Sequence, residues 1–213
     1  GTASQPIIFT SSAPEGQKRL GDWGGLVLLG RATNNGSYNG VNGVMEIEGG
    51  INNASGDGLH GGIDDNDNSG VVKYVRLEFG GYPFQPDREI NGLTCGSVGR
   101  GTVIDYVQVS YCNDDAFEFF GGSVNAKHLI SFRNLDDDFV TDNGYRGKIQ
   151  FGIAVRDTAI ADGAAGGASN GFETDNDGSG SAAQPFTAPV YSNMTIIGPL
   201  FTPTTAIAAS YRR

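Results

Sequence analysis

Proline, cysteine, histidine and charge are all scarce in this chain of 213 residues. Only 18% of residues are charged, in no long block, while 38% are hydrophobic, which excludes a disordered chain. Two cysteines, Cys95 and Cys112, cannot build a disulfide framework. With only two histidines, His60 and His128, far apart in sequence, they also lack zinc-ligand spacing. No run approaches the roughly 18–20 apolar residues of a membrane helix, so membrane insertion is not expected. Basic residues are outnumbered, 14 Lys and Arg against 24 Asp and Glu, for a net charge of −10. That balance opposes nucleic acid, which needs a basic stripe, and anionic membrane surfaces. It suits cations, neutral glycans or simple solubility. The start, Gly1 to Pro6, has neither a basic nor a hydrophobic leader region, so any signal peptide is expected to have been removed.

Glycine is what the chain has in excess: 34 residues, about twice the ordinary share of roughly 7%. There is no G-X-Y period, which excludes collagen. The glycines fall between short apolar runs and read as turns. Those runs include residues 6–10, 26–29, 71–79, 102–111, 126–132, 148–155 and 190–197, most of them rich in β-branched or aromatic residues. None carries the i, i+3, i+4, i+7 pattern of a helix. The alanine-rich stretch from Phe151 to Ala165 comes nearest, but Gly163, Gly166 and Gly167 oppose a long helix.

The runs repeat. Val72-Lys73-Tyr74-Val75-Arg76-Leu77-Glu78-Phe79 matches Ile104-Asp105-Tyr106-Val107-Gln108-Val109-Ser110-Tyr111, with looser copies at 126–132 and 190–196. The step from Tyr74 to Tyr106 is 32 and that from Tyr106 to His128 is 22. His128 to Asn193 is a step of 65, close to three times 22. A second repeat is offset from the first. Asn113-Asp114-Asp115-Ala116-Phe117 recurs as Asp136-Asp137-Asp138-Phe139-Val140, a step of 23. Phe139 to Asn143 recurs as Phe172 to Asn176, a step of 33. Steps near 22 with insertions of about ten predict a solenoid, because a single coil cannot bury its apolar face alone. The expected fold is all-β, a right-handed parallel β-helix with variable loop insertions, forming one domain over residues 1–213.

Several motifs in order resemble a bacterial secreted or surface lipoprotein-like β-helix family. They are Gly21-Asp22-Trp23-Gly24-Gly25, Tyr74 to Gly81, Glu89 to Thr94, Asp114 to Gly122, Asp136 to Asp138 and Asn170 to Asp177. The resemblance covers nearly the whole chain. It implies the fold and a secreted or cell-surface location, and no established activity. It also implies that members extend past both ends. Gly1 then falls inside a coil, Tyr211-Arg212-Arg213 precedes another strand, and the ends are continued or capped by neighbours. Open coil ends are edge strands, so self-association into a head-to-tail filament is an expected partnership.

Two kinds of segment carry candidate chemistry. In Asp64-Asp65-Asn66-Asp67-Asn68-Ser69-Gly70, Asp65, Asp67 and Ser69 alternate ahead of a glycine, as a calcium loop requires. No glutamate follows at EF-hand distance. Glu173, Asp175 and Asp177 before Gly178 form a second segment of this type. The bland alternative for both is an Asx-rich turn. The other constellation is an acidic turn, Asp114-Asp115 stacked on Asp137-Asp138 at about 5 Å, with Glu118 and Asp142 just downstream. Stacked carboxylates repel unless protonated or bridged. Three readings stand: a Ca²⁺ site, aspartates capping backbone amides, or a catalytic carboxylate pair. In the last, Asp115 and Asp138 serve an inverting glycosidase, or Arg146 or Lys148 serves as the base of a calcium-dependent polysaccharide lyase. No lyase or polygalacturonase signature accompanies them, and fold analogy does not establish activity. The reading carried forward is a calcium-stabilised structural or binding solenoid for adhesion, glycan binding or assembly.

The rest is weaker. Cys95 and Cys112 are separated by a step of 17, a little under one coil. They form one bridge between neighbouring coils, or remain two buried free thiols. His128 occupies the Tyr position of the repeat and reads as a wall residue. Phe117, Phe119, Phe120, Phe132, Phe139, Tyr145 and Phe151 read as a core ladder, with an outer sugar-stacking platform as the alternative.

Overall fold

Short β-branched and aromatic runs, cut by Gly, Asn and Asp, form strands and no helix among the described residues. The structure is a computed structural model and describes residues 1–85, 89–162 and 168–199. Gly163, Gly166, Gly167 and Tyr211-Arg212-Arg213, named above, lie outside the described residues. The strands are β1 (Ile7–Phe9), β2 (Leu26–Leu29), β3 (Ser37–Tyr38), β4 (Val41–Asn42) and β5 (Val44–Glu46). They continue with β6 (Leu59–Gly61), β7 (Val71–Glu78), β8 (Leu93–Gly96), β9 (Val103–Ser110) and β10 (Phe117–Phe120). The last are β11 (Asn125–Phe132), β12 (Phe139–Asp142), β13 (Lys148–Val155), β14 (Phe172–Thr174) and β15 (Val190–Ile197).

Two parallel sheets result, in the orders β1-β7-β9-β11-β13-β15 and β14-β12-β10-β8-β2. The chain alternates between them and advances one strand in each per coil, which is the expected parallel β-helix. Val103 pairs with Asn125 and Ala126 with Ile149. Insertions lengthen the other coils: Val71 pairs with Val103, and Ile149 with Tyr191. The chain from His128 to Asn193 therefore makes two coils, passing through Phe151, not three. The long connection between β13 and β15 makes up the difference. The insertion between β2 and β7 carries two antiparallel pairs, β3/β4 and β5/β6. Its β6 packs against β8, where His60 stands 2.7 Å from the place a side chain on Gly96 would start. Only glycine fits there.

Each long strand of the larger sheet is bent at one residue. Tyr74, Tyr106, His128, Phe151 and Asn193 all have positive φ, from 52° to 62°. Such a backbone costs about 1–3 kcal/mol for a residue with a side chain. It also shifts the inside–outside alternation. In β9, Ile104 points inward, and the next inward residues are Val107 and Val109. The bend keeps both halves of the strand facing the core while turning the sheet. Stacking of successive rings helps to offset the strain: Tyr74–Tyr106 at 4.7 Å, Tyr106–His128 at 4.2 Å and His128–Phe151 at 5.1 Å.

The core lies between the sheets. Leu77, Val107, Val109, Leu129 and Ile149 from one side meet Leu93, Phe117, Phe119 and Phe139 from the other. Phe117 stacks on Phe139 at 5.6 Å, and Phe139 on Phe172 at 5.7 Å. Tyr145 is fully buried, and its hydroxyl donates to the Val124 carbonyl. The core ladder thus holds for Phe117, Phe119, Phe139 and Tyr145. Phe120 and Phe132 are half-buried, and Phe151 is exposed on the outer surface.

The disulfide alternative is corrected: Cys95 and Cys112 are free, buried thiols. Register explains it. Cys95 on β8 is flanked in its sheet by Leu28 and Phe119. Cys112 follows β9, and its N–H bonds the Asn134 side chain one coil on. Their spacing is short of a full coil, so the two cysteines occupy different columns.

Candidate functional site

An acidic wall lines the outer edge of the smaller sheet. Phe117 pairs with Phe139, so the coil step here is 22 and not the 23 suggested by matching one acidic run to the other. Asp115 accordingly stacks on Asp137, and Asp114 on Asp136. Asp137 donates its N–H to Asp115 Oδ1 at 2.8 Å, and Asn170 donates its backbone N–H and its side-chain amide to Asp137. Backbone capping therefore holds for one oxygen of Asp115 and for Asp137. The remaining oxygens gather: ligand atoms of Asp114, Asp115 and Asp136 all lie within 4.8 Å of one another.

More acids adjoin this group. Glu118, central on β10, is 7% exposed, and Asp142 ends β12 with its Oδ1 buried and without a hydrogen-bond partner. Glu173 on β14 and Asp175 follow one coil further along the wall. Burial, then repulsion from Glu48, Glu89, Asp136 and Asp137, pushes the Asp114 carboxyl up to about 8. Burial, then Asp137, Asp162 and Glu173, pushes Asp136 up to about 7. Asp115, Glu118 and Asp142 are held well above the carboxylate range, first by burial and then by neighbouring acids. Two like charges about 4 Å apart repel by about 4 kcal/mol at an effective dielectric near 20. Repulsion of this size favours protonation of the wall or a counter-charge beside it. The wall's donor set, all oxygen and mostly carboxylate, is one that Ca²⁺ prefers.

Other expected ligands lie elsewhere. Asp138 does not join the wall: its place one coil above is that of Ala116, which turns inward. There Asp138 meets Arg156, Nε to Oδ2 at 3.1 Å, and accepts a bond from Ser131. Asp65 and Asp67 do not converge on a free loop site. Asp67 pairs with Arg31 at 3.0 Å and accepts from the Ser69 hydroxyl. Burial works against the charge on Asp65, but the N–H and hydroxyl of Thr33, with Arg146 and Arg100, outweigh it and hold its pKa low. The arginines already supply the positive charge that an ion would bring. Asp177 caps its own turn, and bonds from Ser179 and Ser181 hold its pKa low. Arg146, the candidate base, is committed to Asp65, and Lys148 begins β13 in the other sheet.

Sequence reasoning missed Asp136, Glu48 and Asn91. Matching the repeats on Phe117 and Phe139 would have found Asp136. Glu48 reaches the wall from the loop between β5 and β6 and leaves no local signal.

A second feature is a groove of about 470 Å³ along the bend of the larger sheet. One column of the sheet, Tyr74, Tyr106, His128, Phe151 and Asn193, and a second, Arg76, Gln108, Ile130, Ile153 and Thr195, line it together with Thr2, Ala3 and Pro6. His128 is thus a wall residue as expected. Its Nδ1 lies 2.8 Å from Asp105, which also pairs with Lys73 at 3.0 Å.

A family model described as a pectate-lyase like beta helix domain matches residues 1–212. Comparison with curated proteins and with solved structures gave no match.

Proposed function

The chain belongs to the pectate-lyase-like β-helix family, and from that premise we propose that it acts outside the cell, secreted or at the surface, as a calcium-loaded β-solenoid that binds without cleaving. The convergence of Asp114, Asp115 and Asp136 within 4.8 Å carries this reading. A divalent ion there would replace repulsion between stacked coils with attraction and tie successive coils together. The groove beside Tyr106 and Phe151, each 41% exposed, supports glycan binding as its adhesive role, since aromatic surface beside polar groups suits sugars. The alternative, a polysaccharide lyase or glycoside hydrolase, finds less support. Asp138 is paired inside with Arg156, and Arg146 is engaged by Asp65.

The test is thermal unfolding of chelator-treated protein with and without calcium chloride. Binding to the folded state alone adds about 2.7 kcal/mol at a hundredfold excess over Kd, so the melting temperature should rise by several degrees. Asp114→Asn with Asp136→Asn should reduce the rise. No rise in the unmutated protein would refute the calcium reading.

A further inference from the structure

Asn91 stands just before β8 and is 0% exposed. Its Nδ2 donates to Glu48 Oε1 at 2.7 Å and also to Glu118 Oε2. Glu48 belongs to the 47–58 loop closing the β5/β6 pair, and Glu118 to the sheet beneath it. One amide therefore sits between two carboxyl groups from segments far apart in the chain. Two neutral oxygens beside them have no partner: Asn91 Oδ1, and Oγ1 of Thr94, which is 1% exposed and is the register neighbour of Glu118.

Buried Glu118 and half-buried Glu48, sharing one amide, cannot both keep their charge without a counter-charge. A proton shared between them would satisfy the carboxyl groups alone. It would leave the Asn91 and Thr94 oxygens orphaned, and buried polar atoms are seldom left so. A hard cation uses both kinds of oxygen, carboxylate and neutral, directly or through its waters. A half-turn of the Asn91 amide would bring Oδ1 to the position Nδ2 now holds, facing both carboxylates. We propose that Glu48, Glu118 and Asn91 form a second calcium site, adjoining Asp114, Asp115 and Asp136 but with its own ligands, that clamps the 47–58 loop onto the sheet.

Apolar contacts of the loop bring Glu48 to the sheet. Ile47 is buried and its N–H bonds the Gly58 carbonyl, while Gly49 packs against Ile90. Ion binding at Glu48 then decides whether the loop stays closed over Thr94 and Glu118.

The experiment is calcium titration of chelator-treated protein by calorimetry, joined to hydrogen exchange of the 47–58 peptide. The unmutated chain should bind one ion at each site. Glu48→Gln with Glu118→Gln should lose one ion and keep the other, and Asp114→Asn with Asp136→Asn should do the converse. Calcium should slow exchange in the loop by about tenfold or more in the unmutated chain and in the second variant, as expected when binding closes a local opening. Unchanged exchange in the unmutated protein overturns the clamp even if a variant fails to fold. A single ion, lost with Asp114 and Asp136, and unchanged loop exchange would overturn the clamp and leave the wall site standing. Retention of both ions in the Glu48→Gln, Glu118→Gln variant would also overturn it. No ion at all would overturn both.

Discussion

Replacing Arg156 with methionine tests the inward placement of Asp138. Arg156 is 6% exposed; its Nε meets Asp138, while Nη1 and Nη2 donate to the carbonyls of Asn134 and Asn170 at 3.2 and 2.5 Å. Methionine fills similar volume but leaves a buried carboxylate and two carbonyls without their partner. Breaking a buried pair in this way costs about 3–5 kcal/mol. The cost depends on pH because Asp138 can take up a proton. Burial already pushes its pKa up to about 6, even with Arg156 and Ser131 drawing it down. Without Arg156 it rises further. A carboxyl raised in the folded state holds its proton where the unfolded chain, near 3.8, has lost it. Stability therefore falls as pH rises from about 4 through the folded pKa. The variant extends this window above 6. Urea unfolding at fixed calcium, with equal m values, should show a loss of about 3–5 kcal/mol at pH 8 and under about 2 at pH 5. Adding Asp138→Asn should recover part of it at pH 8. A loss below about 1 kcal/mol at pH 8, or equal losses at both pH values, would refute the reasoning.

Other outcomes follow from the same structure. In chelator-treated protein, the raised pKa values of Asp114 and Asp136 should make the melting temperature fall between pH 5 and pH 8, and calcium should flatten that fall; a flat profile without calcium would count against the wall's electrostatics. Phe139→Ala should cost about 3–5 kcal/mol in urea unfolding, because Phe139 is fully buried between Phe117 and Phe172. Burial pushes both cysteine thiols up, so Cys95 and Cys112 should react with a thiol reagent only on unfolding and then titrate as two free groups. A protein without reactive thiols after unfolding would contradict this.

The solenoid was legible because aromatic residues recur at fixed positions of each coil. Tyr74, Tyr106 and His128 fall in one column, and Phe139 and Phe172 in another, as their spacing implies. Acidic runs were poorer guides. Asp136-Asp137-Asp138 can be laid on Asp114-Asp115 in two ways, and only the neighbouring phenylalanines fix which is right. A one-residue error there moved Asp138 from the inside to the outside. Long insertions hid the coil count between His128 and Asn193, since a loop adds residues without adding a coil. The loops at Asp65 and Asp177 carry the calcium-like spacing, but spacing does not reveal that Arg31, Arg100 and Arg146 arrive from elsewhere to meet Asp65 and Asp67. Glu48 lies far ahead of Glu118 in sequence, and only the folded chain brings them to the same amide.

The most direct test of the account is a crystal grown with calcium chloride. Density for an ion should appear with oxygens of Asp114, Asp115 and Asp136 at about 2.3–2.6 Å. Ordered waters alone among these three carboxyl groups, at calcium concentrations well above physiological, would contradict a calcium-loaded wall.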